Sequence, residues 1–213
     1  MRNKYFKSIH KKYSSLDNVF KLNNRKACLN NDDTLLFNMQ SAEKCINRLN
    51  GLCQLKDTNK CNQYKFEKQY SNTKKFRYRQ SIYWATCSIE DIVQDIIRLK
   101  TINHKVKYIR FNESGDMTKE DLYKLAIISN MLLEYDIHVF IYTASHNLLE
   151  HKEIINMLSL GNLTINGSGF MWDNEYKQYN KTEKVNKEII LCPCTTNCKL
   201  CKESRGFKGG FRL

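Results

Sequence analysis

The chain has 213 residues, a hydrophobic fraction of 41% and a formal net charge of +13 at pH 7. That composition excludes a disordered chain and is enough for one domain with a real core. No apolar run approaches the length that spans a bilayer, and the basic N-terminus contains no apolar segment of the secretory type. We therefore expect a cytoplasmic protein that does not enter membranes.

The excess of positive charge leaves two interpretations open. A polyanionic partner, most commonly nucleic acid, would bind such a surface. A coding bias toward Lys and Asn would produce the same composition without any partner. Charge alone does not separate the two.

Cysteine usage is high for a chain without an export signal, with nine residues. A reducing compartment disfavours disulfides, so clustered cysteines there indicate a metal site. Cys28 and Cys87 stand apart and are expected to be small core residues. The other seven fall into two groups, namely Cys45, Cys53 and Cys61, and Cys192, Cys194, Cys198 and Cys201.

The C-terminal group carries the stronger signal. It places four thiols within ten residues and ends in a C-x2-C pair, which predicts sulfur ligation of zinc or of an iron–sulfur cluster. In the N-terminal group seven residues separate each neighbouring pair, a spacing that fixes no geometry. Either one metal is held by both groups, stapling the ends of the chain, or there are two sites.

The segment before the first regular elements combines basic and aromatic residues. Lys75, Arg77 and Arg79 alternate with aromatic side chains, as in surfaces that contact phosphates and stack on bases. The alternative is an amphipathic helix with its aromatic residues inside and its arginines outside. Upstream, Leu35–Phe37 predicts an edge strand or a short helix.

From residue 89 onward the pattern alternates regularly between helix and strand. Ser88 is the expected N-cap of the first helix and Thr118 of the second. The alternation predicts a parallel sheet with right-handed crossovers, hence an α/β fold: a partial (βα) barrel or an open parallel sheet with helices outside. The predicted helices are 89–100, 119–135 and 147–158, and the strands are 107–111, 138–143 and 163–166.

Polar residues follow each predicted strand, and the carboxyl ends of parallel strands share one edge of a sheet. Glu113 and Asp116 are the candidate catalytic carboxylates there. The alternative is a helix-entry loop in which Asp116 or Thr118 is only a cap. The other candidate ligand contacts at this edge are Asn112, Ser114, Gly115, Thr143, Ser145 and Asn166.

We expect three parts in the chain. Residues 1–34 are a basic, loosely structured segment, 35–191 the α/β domain, and 192–213 the cysteine knuckle with a basic tail. Within the domain, 170–187 is expected to be a polar connector and 188–191 a last short strand. The tail is expected to be flexible and to touch nucleic acid through Arg205, Lys208 and Arg212.

Motifs in one order along residues 42–203 resemble a family known after a phage gene product 88, with members in phages, plasmids and archaea. The resemblance rests on five motifs, which are Leu52–Tyr70 with a cysteine box that begins at Cys61, Phe76–Trp84, the strand end Arg110–Asp116, Tyr142–Ser145 and the terminal knuckle Cys192–Cys201. It implies a phage-type protein with an α/β fold.

That family is in turn distantly similar to the radical SAM enzymes, which hold a [4Fe–4S] cluster and S-adenosylmethionine on a partial (βα) barrel. By this resemblance Cys45, Cys53 and Cys61 would ligate the cluster, and Glu113–Asp116 would meet S-adenosylmethionine. Two functions follow as hypotheses. One is an iron–sulfur enzyme acting on nucleic acid, and the other is a non-catalytic, metal-stapled protein that binds nucleic acid.

Overall fold

The computed structural model describes residues 19–22, 33–53, 61–179, 182–192 and 198–212. Within them, eight strands form a single sheet. The strands are β1 (Lys21–Leu22), β2 (Thr34–Phe37), β3 (Tyr108–Phe111), β4 (His138–Thr143), β5 (Leu163–Ser168), β6 (Asn174–Tyr179), β7 (Ile190–Leu191) and β8 (Lys208–Arg212).

The strand order is β1-β2-β3-β4-β5-β6-β8-β7. β1 runs antiparallel to β2, and the seven strands β2 to β8 run parallel to one another. The predicted α/β fold with a parallel sheet is therefore confirmed. Phe37, Phe111 and Ile141 are register partners across β2, β3 and β4, so the residues that follow these strands emerge side by side.

Helices connect and flank the strands. The predicted helix at 147–158 is observed as a 3-10 turn at His146–His151 that leads into an α-helix. The α-helices are α1 (Ile46–Leu49), α2 (Asn62–Gln69), α3 (Ser71–Thr86), α4 (Ile89–Ile102), α5 (Lys119–Leu133), α6 (Lys152–Ser159) and α7 (Leu200–Glu203).

Both predicted helix caps are present. The Ser88 hydroxyl accepts from the Asp91 backbone N–H. Thr118 and Asp121 form a reciprocal capping box at the start of α5. These bonds satisfy N–H groups that have no partner within the helix, and each helix begins where the sequence indicated.

One face of the sheet carries the main apolar core. Alternate strand residues such as Leu35, Ile109 and Val139 pack against apolar side chains of α3 to α6, including Ile92 and Leu122. Strand residues in between lie on the other side of the sheet. We call that side the second face, and it carries Tyr108, Arg110, Phe140, Tyr142 and Asn166.

The second face is covered in part by α7, which packs against β4 and β5. Lys202 of this helix is buried, reaches the Thr34 hydroxyl at 3.2 Å and pairs with Asp33 at 3.4 Å. The Lys202 ammonium also lies 4.0 Å from the centre of the Tyr108 ring. The C-terminal segment is thus fixed to the sheet by charge as well as by packing.

Three sequence expectations need correction. β2 is internal, because it pairs with β1 on one side and β3 on the other. The expected polar connector contains β6, and the expected flexible tail forms β8, between β6 and β7. The glycines explain the error about the tail, since a Cβ at Gly209 would lie 2.4 Å from a Tyr176 ring carbon. They permit close packing here and do not produce flexibility.

The single sheet draws strands from all three predicted parts of the chain, with β1 in 1–34 and β8 in 192–213. Cys28 and Cys194, and most of the predicted basic N-terminal segment, lie outside the described residues. Among the described helices, none has both the length and the apolar character that crossing a membrane requires.

Matched isoleucines test the position of the core. Ile109 in β3 is 0% exposed, whereas Ile102 at the end of α4 is 70% exposed. Ile109→Ala should lower the free energy of unfolding by about 2–5 kcal/mol through lost burial and a residual cavity. Ile102→Ala should change it by no more than about 0.5 kcal/mol. Urea unfolding followed by circular dichroism measures both, and equal losses would contradict the assigned core.

Candidate functional site

The Asp116 carboxylate lies buried at the carboxyl end of β3, where five hydrogen-bond donors reach it. Three segments supply them: the turn after β3, the segment after β4, and α1. The donors are Thr143 Oγ1 (2.6 Å), Met117 N (2.9 Å) and Ser145 Oγ (3.3 Å) to Oδ1, and Asn47 Nδ2 (2.5 Å) and Ala144 N (2.8 Å) to Oδ2.

Burial raises the pKa of Asp116 above its ordinary value, and the hydrogen bonds from Thr143, Ala144, Met117 and Asn47 oppose that rise. Asn47 also donates to the Ser145 hydroxyl at 2.9 Å. We call Asp116, Asn47, Thr143, Ala144 and Ser145 the Asp116 cluster. The hydrogen bonds of this cluster join the ends of β3 and β4. The catalytic role assigned to Asp116 from the sequence stays a prediction.

Gly115 precedes Asp116 with φ +81°, a left-handed conformation that side chains disfavour. A Cβ there would lie 2.6 Å from the Gln40 carbonyl oxygen. The sequence suggested that Gly115 admits a ligand to the backbone. In the structure the close neighbour is the backbone of the segment that follows β2.

Two buried asparagines tie the ends of β2 and β3 together. Asn38 accepts from the backbone N–H groups of Glu113 and Ser114, both at 2.8 Å. Asn112, with φ +60°, accepts from the Met39 N–H at 2.9 Å. The predicted ligand contacts Asn112 and Ser114 therefore lie in a built polar network at the sheet edge.

A buried ion pair that no sequence motif indicated lies beneath this edge. Arg77 and Glu67 side chains are 3% and 2% exposed and lie 2.9 Å apart. Glu67 also accepts from the Ala42 N–H at 2.7 Å and from the Ser114 hydroxyl at 3.2 Å, while Arg77 reaches Glu113 at 3.5 Å. Arg77, a predicted phosphate contact, is thus inside the protein. No sequence motif singled out its partner Glu67.

The N-terminal cysteines lie near the same edge in the described residues. Cys45 precedes α1 and Cys61 precedes α2, and both are half-buried. Burial raises the pKa of the Cys45 thiol to about 11, with further contributions from the charges of Asp116 and Cys53. Asn47, two residues after Cys45, donates to Asp116 at 2.5 Å and accepts from the Cys53 N–H at 3.1 Å, which places this segment at the strand ends.

Of the C-terminal cysteines, Cys201 lies on the second face of the sheet, where the Asn166 amide donates to its carbonyl at 2.9 Å. Burial raises the pKa of the Cys201 thiol, and the charges of Cys192 and Cys198 add to the rise. Burial raises the pKa of Tyr176, and the charges of the same three cysteines add to that rise. We call Cys192, Cys198 and Cys201 the C-terminal thiol cluster.

Asn166 belongs to this second group and not to the Asp116 cluster. Its amide donates to the Cys201 carbonyl at 2.9 Å and to the Ile141 carbonyl at 3.1 Å. Asn174, which the sequence did not indicate, bonds to Asn166 at 3.0 Å and to the Ser204 carbonyl at 2.6 Å. The two asparagines hold the backbone of the cysteine segment against the sheet.

Among the described residues, no group of three His, Cys, Asp or Glu side chains is arranged to hold a metal. One of the four C-terminal cysteines, Cys194, lies outside the described part of the chain. The thiols present are the soft ligands that zinc and iron–sulfur clusters take. Metal ligation by either cysteine group stays a prediction.

Cations and aromatic rings lie together on the outer side of α1, α2 and α3. The Arg48 guanidinium is 4.5 Å and the Lys68 ammonium 5.0 Å from the centre of the Tyr64 ring. Lys44 lies 5.2 Å from the centre of the Tyr78 ring. We call this the α1–α3 surface. The only indication of the α1–α3 surface in the sequence was that basic and aromatic residues lie close together along the chain.

The other predicted nucleic-acid contacts are dispersed. Lys75 and Lys208 are exposed, and Arg79 is half-buried beside Phe76. Arg205 pairs with the buried Asp173 at 2.7 Å. The side chain of Arg212 lies outside the described part.

Fold and site define an α/β protein with a parallel sheet, a polar cluster at its strand ends and thiols on its second face. A family model described as "Gene product 88" matches residues 8–198. The chain belongs to this family. Neither the curated proteins nor the solved structures include a significant match.

A charge-removing substitution tests the Asp116 cluster. Asp116→Asn replaces an acceptor of five hydrogen bonds with an amide that must turn its own N–H groups toward donors. We expect the free energy of unfolding to fall by about 3 kcal/mol or more, because buried donors lose their partner. Chemical denaturation of the variant measures the loss.

Asp136→Asn is the matched control, since Asp136 is exposed and its left-handed backbone (φ +51°) suits asparagine. It should leave stability within about 0.5 kcal/mol of the wild type. If Asp116→Asn is as mild as this control, Asp116 does not join the strand ends.

Proposed function

We propose that this protein binds an iron–sulfur cluster, or alternatively a zinc ion, through its C-terminal cysteines on the second face of the sheet. The observation that carries the proposal is the attachment of the cysteine segment to the sheet, where the Cys192 N–H donates to the Gly210 carbonyl at 2.8 Å and the Cys201 carbonyl accepts from the Asn166 amide at 2.9 Å. Cys194 lies between Cys192 and Cys201 in sequence and would be the fourth thiolate. Four thiolates suit both cofactors.

The surroundings of the cluster also support a metal. Burial disfavours a free thiolate at Cys201, so the charged form that ligation requires needs a compensating cation. Asn166 fixes the Cys201 backbone from below, and the Cys192 N–H donates to the Gly210 carbonyl at 2.8 Å. A bound cofactor would therefore connect β8 and α7 to the strands beneath.

Metal content tests this proposal directly. The full chain purified without oxygen should be brown, absorb near about 400 nm and contain iron and sulfide if it holds a cluster. A colourless protein with stoichiometric zinc would indicate the alternative cofactor. Cys201→Ser should lower the metal-to-protein ratio, whereas Cys87→Ser, at a buried cysteine outside both groups, should leave it unchanged. Protein without iron or zinc would refute the proposal.

An enzymatic function would use the edge of the sheet. Asn47, two residues after Cys45, contacts both Asp116 and the Cys53 backbone, and this placement supports a catalytic cluster of the radical SAM type held by Cys45, Cys53 and Cys61. In that case Glu113 and the strand-end residues would contact S-adenosylmethionine. Titration calorimetry with S-adenosylmethionine tests this function, and a colourless protein that does not bind it would exclude it.

Nucleic-acid binding is a second candidate function, favoured by the α1–α3 surface. Residues 41–53 and 61–80 contain eight basic and two acidic side chains. One of the two acidic side chains, Glu67, is buried against Arg77. Tyr78 and Tyr70 are exposed there. Exposed rings among cations suit single strands, whose bases stack while their phosphates are neutralised.

An oligothymidine with a fluorescent label tests this second function by fluorescence anisotropy. Tyr78→Ala should weaken binding by about 1–3 kcal/mol. Lys44→Ala should reduce the slope of log affinity against log salt by about one. Tyr135→Ala, an exposed tyrosine beyond the end of α5, is the control and should bind normally. Affinity that is independent of salt would exclude phosphate recognition by this surface.

A further inference from the structure

Glu43 is an exposed acidic residue within the basic α1–α3 surface. The other acidic side chain in this part of the chain, Glu67, is buried against Arg77. The Glu43 Oε2 atom lies 2.6 Å from the ammonium of Lys74 at the start of α3, and the two side chains are 46% and 50% exposed. A hydrogen bond from Lys74 lowers the pKa of Glu43, so the carboxylate is ionised at neutral pH. The surface therefore holds an anion of its own among its cations.

The backbone of Glu43 is fixed from two sides by other residues. Its N–H donates to the buried Glu67 carboxylate at 3.2 Å, and its carbonyl accepts from the Arg48 guanidinium at 2.7 Å. The same guanidinium lies over the Tyr64 ring, 4.5 Å from its centre. These contacts set where the Glu43 carboxylate lies, yet none of them uses that carboxylate. Its charge can therefore be removed without removing the bonds that hold the segment.

The ion pair between Glu43 and Lys74 lies on the same side of α3 as an exposed aromatic ring. Tyr78 follows Lys74 by four residues in this helix, a spacing that puts both side chains on one face. The Tyr78 side chain is exposed, and the Lys44 ammonium lies 5.2 Å from the centre of its ring. A ring, two lysines and one carboxylate thus share this part of the surface.

We infer that Lys74 is a phosphate subsite of the α1–α3 surface, which the Glu43 carboxylate occupies until a nucleic-acid phosphate displaces it. The inference rests on the proposed nucleic-acid function of this surface. A carboxylate and a phosphodiester are both oxygen anions that pair with a lysine ammonium. A base stacked on Tyr78 would bring a neighbouring phosphate to the same face of α3. Glu43 is then an internal competitor, because the strand must replace it at Lys74.

The exposure of the ion pair makes such an exchange feasible. A buried pair such as Arg77 and Glu67 resists separation, because each charge would be left without a partner in the interior. Exposed pairs contribute little to stability and are weakened by salt, so a phosphate can displace the Glu43 carboxylate while the fold stays intact. A strand that contacts several cations is suited to this exchange, since its other contacts hold a phosphate near Lys74.

The experiment measures the affinity of the full-length protein for a labelled oligothymidine by fluorescence anisotropy, at about 0.15 M salt, where distant surface charges are screened. Glu43→Gln removes the competing charge and should raise the affinity by about two- to fivefold, as expected for an exposed ion pair. In a Lys74→Ala background the same substitution should lose most of this gain, because the competition acts through Lys74. Glu134→Gln, exposed at the end of α5, is the control and should bind like the wild type.

The outcomes separate the subsite from the function on which it rests. If neither the wild type nor Glu43→Gln binds the oligothymidine, the nucleic-acid function is refuted, and the subsite with it. A wild type that binds and a Glu43→Gln variant of equal affinity leave that function standing and overturn the subsite. An equal gain with and without Lys74 also overturns it, whereas binding by Glu43→Gln alone supports both. Circular dichroism checks the fold of each variant, and Glu43→Ala takes the place of Glu43→Gln if the latter does not fold.

Discussion

The buried carboxylate of Asp116 is the interaction on which the edge of the sheet depends. It receives donors from α1, from its own turn and from the segment after β4. A carboxyl group has two oxygens that can accept from these donors, whereas an amide of the same size has one, so the loops that meet there depend on a carboxyl group at this position. Cys45, at the start of α1, owes its place beside the strand ends to the same contact.

The two faces of the sheet differ in polarity. The helix-covered face is apolar, with Ile109 and Ile141 fully buried. The second face carries tyrosines, asparagines and Arg110, and the C-terminal segment lies against it through Asn166 and Lys202. Polar groups on a covered face must find partners, and the Cys201 carbonyl is one of the partners of Asn166.

Two of the buried acidic side chains are paired with arginines. Glu67 is paired with the buried Arg77 and the buried Asp173 with the exposed Arg205. The membership of this chain in the gene product 88 family does not by itself name a ligand. The candidate ligand sites among the described residues are the C-terminal thiols, the Asp116 cluster and the α1–α3 surface.

The sequence by itself determined the α/β class, the strands from β3 to β5, the caps at Ser88 and Thr118, and the neighbourhood of Asp116 with Thr143 and Ser145. Periodicity and capping are local, so they can be recognised within a window of residues. Only the tertiary structure decided that Arg77 is buried, that the glycine-rich tail is β8, and that Asn166 supports the cysteines. Each depends on a partner far along the chain: Glu113, Tyr176 and Cys201, respectively. No local pattern encodes such contacts.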